Sequence, residues 1–122
     1  MGYQHIEHCP PAEKQILPCR VYRILIGEEP ADEDFLSYAD LGRGSEPKVA
    51  EKACRWHGIS LFSEIEGAYQ HIDLFDSGPI VAAADLDESH GVVARTPSAK
   101  FESHLTWWPS DGLDRREAFK CV

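Results

Sequence analysis

Apolar residues recur along the chain with two different spacings, and each spacing predicts the element that a segment forms. Residues 19–26 are rich in β-branched and aromatic side chains and end at Gly27, which is typical of a strand. Pro30 then opens a stretch with acidic residues in its first turn, which favours a helix that ends at Gly42. A second helix is predicted over residues 47–58.

The middle of the chain carries the clearest helical pattern. Residues 58–62 form a short apolar segment typical of a strand, and the next four, Ser63 to Glu66, match a capping box. Apolar residues then recur at the spacing of one helix face, at Ile65, Ala68, Tyr69 and Ile72. Residues 80–85 are a continuous apolar run, which indicates a strand that is buried on both faces.

The last third of the chain is predicted to be β, with strands at 91–95, 100–108 and 117–122. The predicted order is therefore β-α-α-β-α-β-β-β-β, with helices early and strands late. This order favours an α+β domain in which about three helices pack on a mainly antiparallel sheet of five to six strands. We expect one domain over residues 19–122, preceded by an irregular lead-in at 1–18 that contains three prolines.

Charge and composition limit the possible partners. The chain has 12 basic and 21 acidic side chains and a net charge of −9, so a polyanion such as nucleic acid is disfavoured as a partner. No apolar run approaches the ~18 residues of a membrane helix, and no secretory signal is apparent at the N-terminus. We therefore expect no membrane association and a cytoplasmic location.

The cysteines and histidines predict neither a disulfide framework nor a metal site. Four cysteines occur without a C-x-x-C pair, at positions 9, 19, 54 and 121, and we expect reduced and mostly buried thiols. Possible zinc donors near the N-terminus are His5, His8, Cys9 and Cys19. Their spacing lacks two paired knuckles, and Pro10–Pro11 interrupt it, so we expect no metal and no other cofactor.

The strand at 100–108 is the first candidate site. Alternation places four side chains capable of binding a polar ligand on one face: Glu102, His104, Thr106 and Trp108. His104 is a candidate general base oriented by Glu102; the alternative is a solvated sheet face covered by Trp108. Trp107 and Trp108 cannot enter the same core from a regular strand, so we expect one to be exposed, in a pocket or at an interface, for example in a homodimer.

Two arginines on the first predicted strand are the second candidate site. Arg23 shares a face with Val21 and Leu25, whereas Arg20 lies on the opposite face. An arginine on a mainly apolar strand must find a partner, because burying an unpaired charge is costly. Its partner is either one of the many acidic residues or a small anionic ligand with a phosphate or carboxylate group.

One family resemblance follows from these segments. The strand at 58–63, the helix with Ala68 and Tyr69, and the strand at 80–84 resemble the core of ADP-ribosyltransferase-like domains, and residues 19–23 are similar to the first strand of the RES-type members, which act on NAD. The resemblance implies that Arg20 or Arg23 holds the phosphate of NAD. It also implies that Ser60 or Ser63 lines the nicotinamide side and that a late glutamate, Glu102 or Glu117, serves the chemistry.

Two functions from different classes follow, and the sequence leaves open whether the chain is an enzyme. The favoured prediction is a small binding or interaction protein whose site or interface lies on the C-terminal β segment, residues 95–122, because no nucleophile, P-loop or dinucleotide motif is present. The alternative is an NAD- or nucleotide-using transferase or hydrolase. The candidate ligand-binding residues are Arg20, Arg23, Ser60, His104, Thr106 and Trp108.

Overall fold

The predicted segments fold into a single six-stranded antiparallel sheet with three helices, which confirms the α+β prediction. The computed structural model describes residues 2–122. The strands are β1 Cys19–Leu25, β2 Ile59–Phe62, β3 Ile80–Leu86, β4 Gly91–Arg95, β5 His104–Pro109 and β6 Lys120–Cys121. The helices are α1 Tyr38–Leu41, α2 Ala50–Trp56 and α3 Ile65–Phe75, with short 3-10 turns at Ala12–Lys14, Asp32–Phe35, Glu88–His90 and Arg115–Ala118.

The sheet has the strand order β4-β5-β2-β1-β3-β6, and its two central strands are joined only briefly. β1 and β3 pair along their whole length, from Cys19 opposite Leu86 to Leu25 opposite Ile80. In contrast, the ladder between β1 and β2 consists of Tyr22 opposite Phe62. We call this short junction between β1 and β2 the seam. Beyond Tyr22 the two strands are not paired in this ladder, and their ends line a cavity.

Both faces of the sheet are covered, and this explains the adjacent tryptophans. Trp107 lies in the main core with Val21 and Leu25, whereas Trp108 lies on the opposite face against α2 and the N-terminal lead-in. Neither tryptophan is exposed, since Trp107 is 0% and Trp108 2% exposed. Of the three places expected for one of them, the pocket applies, because Trp108 lines a cavity. Each indole also has a partner: Trp107 Nε1 donates to the carbonyl of His90 and Trp108 Nε1 donates to that of Cys54, both at 2.9 Å.

Several element boundaries differ from the sequence prediction. The stretch predicted as one helix after Pro30 is a 3-10 turn followed by α1, which ends at Gly42 in the left-handed region with a φ of 66°. The capping box predicted at Ser63 does not form. The N–H of Ser63 donates instead to the carbonyl of Ser103 at 2.8 Å, and α3 begins at Ile65 with Glu64 as its N-cap.

The N-terminal lead-in is attached to the domain by a covalent link. Cys9 and Cys54 form a disulfide, so the prediction of four reduced thiols is wrong; Cys19 and Cys121 are free. The pairing arises because the lead-in packs on α2, where Ile6 is buried in the same cluster as Ala53.

None of the helices in residues 2–122 is long and apolar enough to cross a bilayer. The compartment in which the protein resides stays a prediction.

Candidate functional site

The seam positions the first residue of the candidate site. Arg23 lies between the fully buried Val21 and Leu25 along β1, but its guanidinium reaches the seam instead of the core. There its Nη1 donates to the carbonyl of Ser60 on β2 at 2.9 Å, and its Nε donates to the carbonyl of Asp34 at 2.7 Å. Arg23 therefore fastens β1, β2 and the turn before α1, and its partners are carbonyls rather than a carboxylate.

A cavity of about 310 Å³ opens beside this guanidinium. Arg43, from the loop after α1, and Arg55, from the last turn of α2, line it together with Arg23. We call this cavity the arginine pocket. Its other lining residues are Ile24, Ile26, Glu33, Leu36, Ser37, Tyr38, Leu41, Gly58, Ser60, Phe62, His71, Ser77 and His104.

The charge of the arginine pocket is opposite to that of the chain. Its lining holds three arginines and one carboxylate, Glu33, in a protein of net charge −9. Of the four arginines outside it, three are ion-paired with aspartates, namely Arg20 with Asp85, Arg115 with Asp40 and Arg116 with Asp32, and Arg95 is not ion-paired among the residues described. Within residues 2–122, neither Arg23, Arg43 nor Arg55 has a carboxylate partner. The pocket therefore concentrates positive charge, which Glu33 in the lining and the buried carboxylate of Asp34 near Arg23 offset in part.

His104 lines the arginine pocket with a defined tautomer. Its Nδ1 lies 3.0 Å from the carbonyl of Thr96 and 2.9 Å from the Thr96 hydroxyl. A carbonyl only accepts hydrogen bonds, so Nδ1 carries the proton and Nε2 is an acceptor. In the part of the chain that the structure describes, Nε2 has no hydrogen-bond partner.

The environment keeps His104 neutral. Burial lowers its pKa below the ordinary value of 6.5, the hydrogen bond to the Thr96 carbonyl offsets part of this effect, and the positive charges of Arg55 and Arg23, with His71, lower the pKa further. A neutral imidazole with a bare Nε2 is able to accept a proton or a hydrogen bond from a ligand.

A second histidine lies on the α3 side of the pocket. Nδ1 of His71 is 2.7 Å from the hydroxyl of Ser77, and its ring packs against Phe62, Phe75 and Phe101 at centroid distances of 5.8, 4.8 and 5.1 Å. Burial lowers the pKa of His71, and the charge of Arg23 adds to this effect. His71 is therefore also neutral near pH 7.

Exposed apolar side chains surround the mouth of the arginine pocket. Ile26, Tyr38 and Leu41 line it and are 73%, 59% and 43% exposed. Large apolar groups at this level of exposure are available to cover an uncharged part of a ligand. Tyr38 in particular offers an aromatic face beside the positive charges.

Three of the predicted ligand-binding residues meet in the arginine pocket: Arg23, Ser60 and His104. Arg20 does not join them. It faces a separate depression with Asp85, whose carboxylate its Nη1 contacts at 3.1 Å. Of the two arginines that the resemblance allowed as phosphate ligands, Arg23 thus lines the cavity and Arg20 is neutralised elsewhere.

The remaining candidates of the C-terminal β segment do not face the arginine pocket. Thr106 is buried and its hydroxyl lies 2.8 Å from that of Thr96, so it supports the residue that orients His104. Glu102 is exposed in the turn before β5 and does not orient His104, because Thr96 has that role. Buried Trp107 and Trp108 present no side chain for an interface, and self-association through other surfaces stays a prediction.

Sequence reasoning missed most of the lining of the pocket, including two of its arginines and one of its histidines, Arg43, Arg55 and His71. Arg43 follows a helix-ending glycine and Arg55 ends an amphipathic helix, so both were compatible with ordinary solvated positions. No sequence pattern fixes the direction of either side chain.

A second cavity, of about 420 Å³, lies beneath the lead-in and includes Trp108. Its charges are mixed: Lys14, Arg55 and Arg95 oppose Glu7, Glu13 and Glu51. The zinc donors considered at the N-terminus do not form a set, because Cys9 is used by the disulfide and His8 pairs with Glu7 at 3.4 Å. Neither feature concentrates positive charge as the arginine pocket does.

Comparison with protein-family models, with curated proteins and with solved structures gives no match for this chain. The function is therefore argued from the geometry of the arginine pocket.

Proposed function

We propose that the protein binds a small phosphorylated ligand of nucleotide type in the arginine pocket. The observation that carries the proposal is the convergence of Arg23, Arg43 and Arg55, none of them paired with a carboxylate, on one cavity of about 310 Å³. Arginine is suited to phosphate because its planar guanidinium donates two parallel hydrogen bonds. Arg23 is held by two carbonyls and is therefore already oriented.

The rest of the lining suits the other parts of a nucleotide. Ser60 is exposed within the cavity and offers a hydroxyl to a ribose or an amide. Tyr38 at the mouth offers a face on which a base can stack, a contact worth about 1–3 kcal/mol. A cavity of this size lies at the lower end of the roughly 300–1,000 Å³ range of ligand sites, which fits a mononucleotide or one half of a dinucleotide.

Binding of ADP-ribose, compared with adenosine, tests the proposal. We expect ADP-ribose to raise the melting temperature and adenosine to leave it unchanged, because adenosine lacks the phosphates. Arg55→Gln should weaken ADP-ribose binding by about tenfold or more, since a hydrogen bond to a charged group contributes about 1.5–3 kcal/mol. Arg20→Gln is the matched control, because Arg20 is paired with Asp85 outside the pocket.

The proposal fails if millimolar ADP-ribose gives no stabilisation, or if Arg55→Gln and Arg20→Gln bind it equally well. Binding should also weaken as salt is added, because the three arginines act as a partly exposed positive cluster. Pyrophosphate alone should compete with ADP-ribose if the phosphates are the recognised group.

One observation favours a second candidate, an NAD-using transferase or hydrolase. His104 is neutral and its bare Nε2 is available as a base, and Arg23 and Ser60, for which the resemblance implies phosphate and nicotinamide contacts, line the same cavity. Neither Glu102 nor Glu117 lines the cavity, so any general base there falls to His104 or Glu33. Release of nicotinamide from NAD that His104→Gln abolishes, with ADP-ribose binding intact, would establish the enzyme; binding without release would leave a binding protein.

A further inference from the structure

A cluster outside the arginine pocket joins three segments that are far apart in sequence. His5 lies in the lead-in, Glu46 in the loop before α2, and His57 at the C-terminus of α2. The lead-in is held against α2 by the Cys9–Cys54 disulfide and by buried Ile6, so His5 stays beside the helix end. None of the three residues lines the arginine pocket.

The two imidazoles approach one carboxylate from two sides. Nε2 of His5 lies 2.6 Å from Oε1 of Glu46, and Nε2 of His57 lies 3.0 Å from Oε2. One ligand atom from each of the three residues lies within 4.8 Å of the other two. A carboxylate accepts only, so each Nε2 at present donates a proton toward Glu46. A divalent cation would take both Nε2 atoms and one carboxylate oxygen, and each neutral imidazole would then carry its one proton on Nδ1.

We propose that His5, Glu46 and His57 form a binding site for a transition-metal ion of the zinc type. Two imidazoles and one carboxylate are a donor set that zinc uses with a fourth position open to water. Tetrahedral zinc with bonds of about 2.0–2.2 Å places its ligand atoms roughly 3.3 Å apart. The two observed distances from nitrogen to carboxylate oxygen are 2.6 and 3.0 Å, and the three ligand atoms all lie within 4.8 Å of one another. Calcium and magnesium are disfavoured, because they prefer sites made of oxygen ligands.

Two of the three ligands are already held in place. The side chain of His57 is 10% exposed, and its ring packs between Trp56 and Tyr3 at centroid distances of 5.0 and 5.9 Å. The side chain of Glu46 is 32% exposed, whereas that of His5 is 59% exposed. His57 and Glu46 thus form the fixed part of the site, and His5 completes it from the surface.

Zinc titration of the full-length, disulfide-intact protein after chelator treatment tests the site. We expect one Zn²⁺ per chain in competition with a chromophoric chelator, and no binding of Mg²⁺ under the same conditions. His57→Ala and Glu46→Gln should each weaken Zn²⁺ binding by at least about tenfold, since even residues that only support metal ligands account for 10–100-fold. His8→Ala is the matched control, because His8 lies on the same lead-in with an 80% exposed side chain and belongs to no cluster.

A second measurement separates loss of the site from loss of the fold. Glu46→Gln keeps the size of the side chain; its amide oxygen accepts from one imidazole, and its NH2 donates to the other when that ring takes the alternative tautomer. Its melting temperature without metal should therefore stay near that of the wild type while the stabilisation by Zn²⁺ disappears. Co²⁺ should give a visible absorption spectrum with the wild type that is absent from His57→Ala. The proposal is overturned if the wild type binds no Zn²⁺, or if His8→Ala loses as much affinity as His57→Ala. In either case the three residues form only a hydrogen-bonded cluster that anchors the lead-in.

Discussion

Removing the Cys9–Cys54 disulfide is expected to cost the protein a large part of its stability. The two cysteines are 45 residues apart in sequence, so the bond closes a long loop in the unfolded chain. In the chain-entropy description, a loop of this length lowers the entropy of the unfolded state by about 13 cal/mol/K, or about 4 kcal/mol at 25 °C. Domains of this size have a total stability of roughly 5–15 kcal/mol.

Urea unfolding followed by tryptophan fluorescence measures this loss. The oxidised protein, the reduced protein and the Cys9→Ala/Cys54→Ala variant should be compared, with Cys121→Ala as the control because Cys121 is exposed and free. We expect reduction to lower the free energy of unfolding of the wild type by about 4 kcal/mol. The double variant should be similarly unstable and insensitive to reductant.

Two results would refute this reasoning. A loss below about 1 kcal/mol on reduction would mean that the link does not constrain the unfolded chain as the entropy description requires. Equal sensitivity of the double variant to reductant would mean that other cysteines carry the effect. A full loss of the folded state at 25 °C, in contrast, remains compatible with the expected magnitude.

Three further predictions follow from particular contacts. Gly58→Ala should lower the free energy of unfolding by about 1–3 kcal/mol, because a Cβ there would collide with the Thr106 side chain. The control is Gly27→Ala, because a Cβ at Gly27 would meet nothing within 4 Å. It should change the free energy of unfolding by less than about 0.5 kcal/mol in the same urea assay. Burial lowers the pKa of His104 in the folded state, so the unfolded chain takes up the proton first as the pH falls, and the free energy of unfolding should decrease as the pH is lowered through the ordinary value of 6.5. A His104→Gln variant should show a smaller decrease between pH 7.5 and pH 5. The same decrease in the variant and the wild type would contradict the lowered pKa of His104. Trp108→Phe should cost about 0.5–1.5 kcal/mol for the lost hydrogen bond, because it removes the 2.9 Å donor to the carbonyl of Cys54, which still accepts from the N–H of His57. Trp56→Phe, which removes a more exposed donor to the Arg43 carbonyl, should cost less.

The order of strands and helices was predictable because it depends on local patterns. Alternation and β-branched residues located β1 within one residue of its observed end, and Gly42 was placed correctly as the end of the helix before it. Boundaries were wrong where a distant segment offered a better partner. The N–H of Ser63 bonds to Ser103 of the neighbouring strand, and this contact lies outside the reach of a local pattern.

The site was predictable only in part, because it depends on which segments meet. Arg23, Ser60 and His104 were identified from side-chain chemistry on predicted strands, but their convergence follows from the short ladder between β1 and β2. Arg43 and Arg55 belong to a loop and a helix end whose direction no sequence pattern fixes. Both tryptophans are buried because the lead-in and α2 cover a face of the sheet that the alternation alone assigned to solvent.

The seam also divides the sheet mechanically. On one side β4, β5 and β2 form one set of paired strands, and on the other side β1, β3 and β6 form a second set. Separation of the two sets at Tyr22 and Phe62 would break little pairing, whereas the ladders within each set would stay intact. The guanidinium of Arg23 bridges this junction through its hydrogen bond to Ser60. A ligand that contacts Arg23 would therefore change the stiffness of the connection between the two sets of strands.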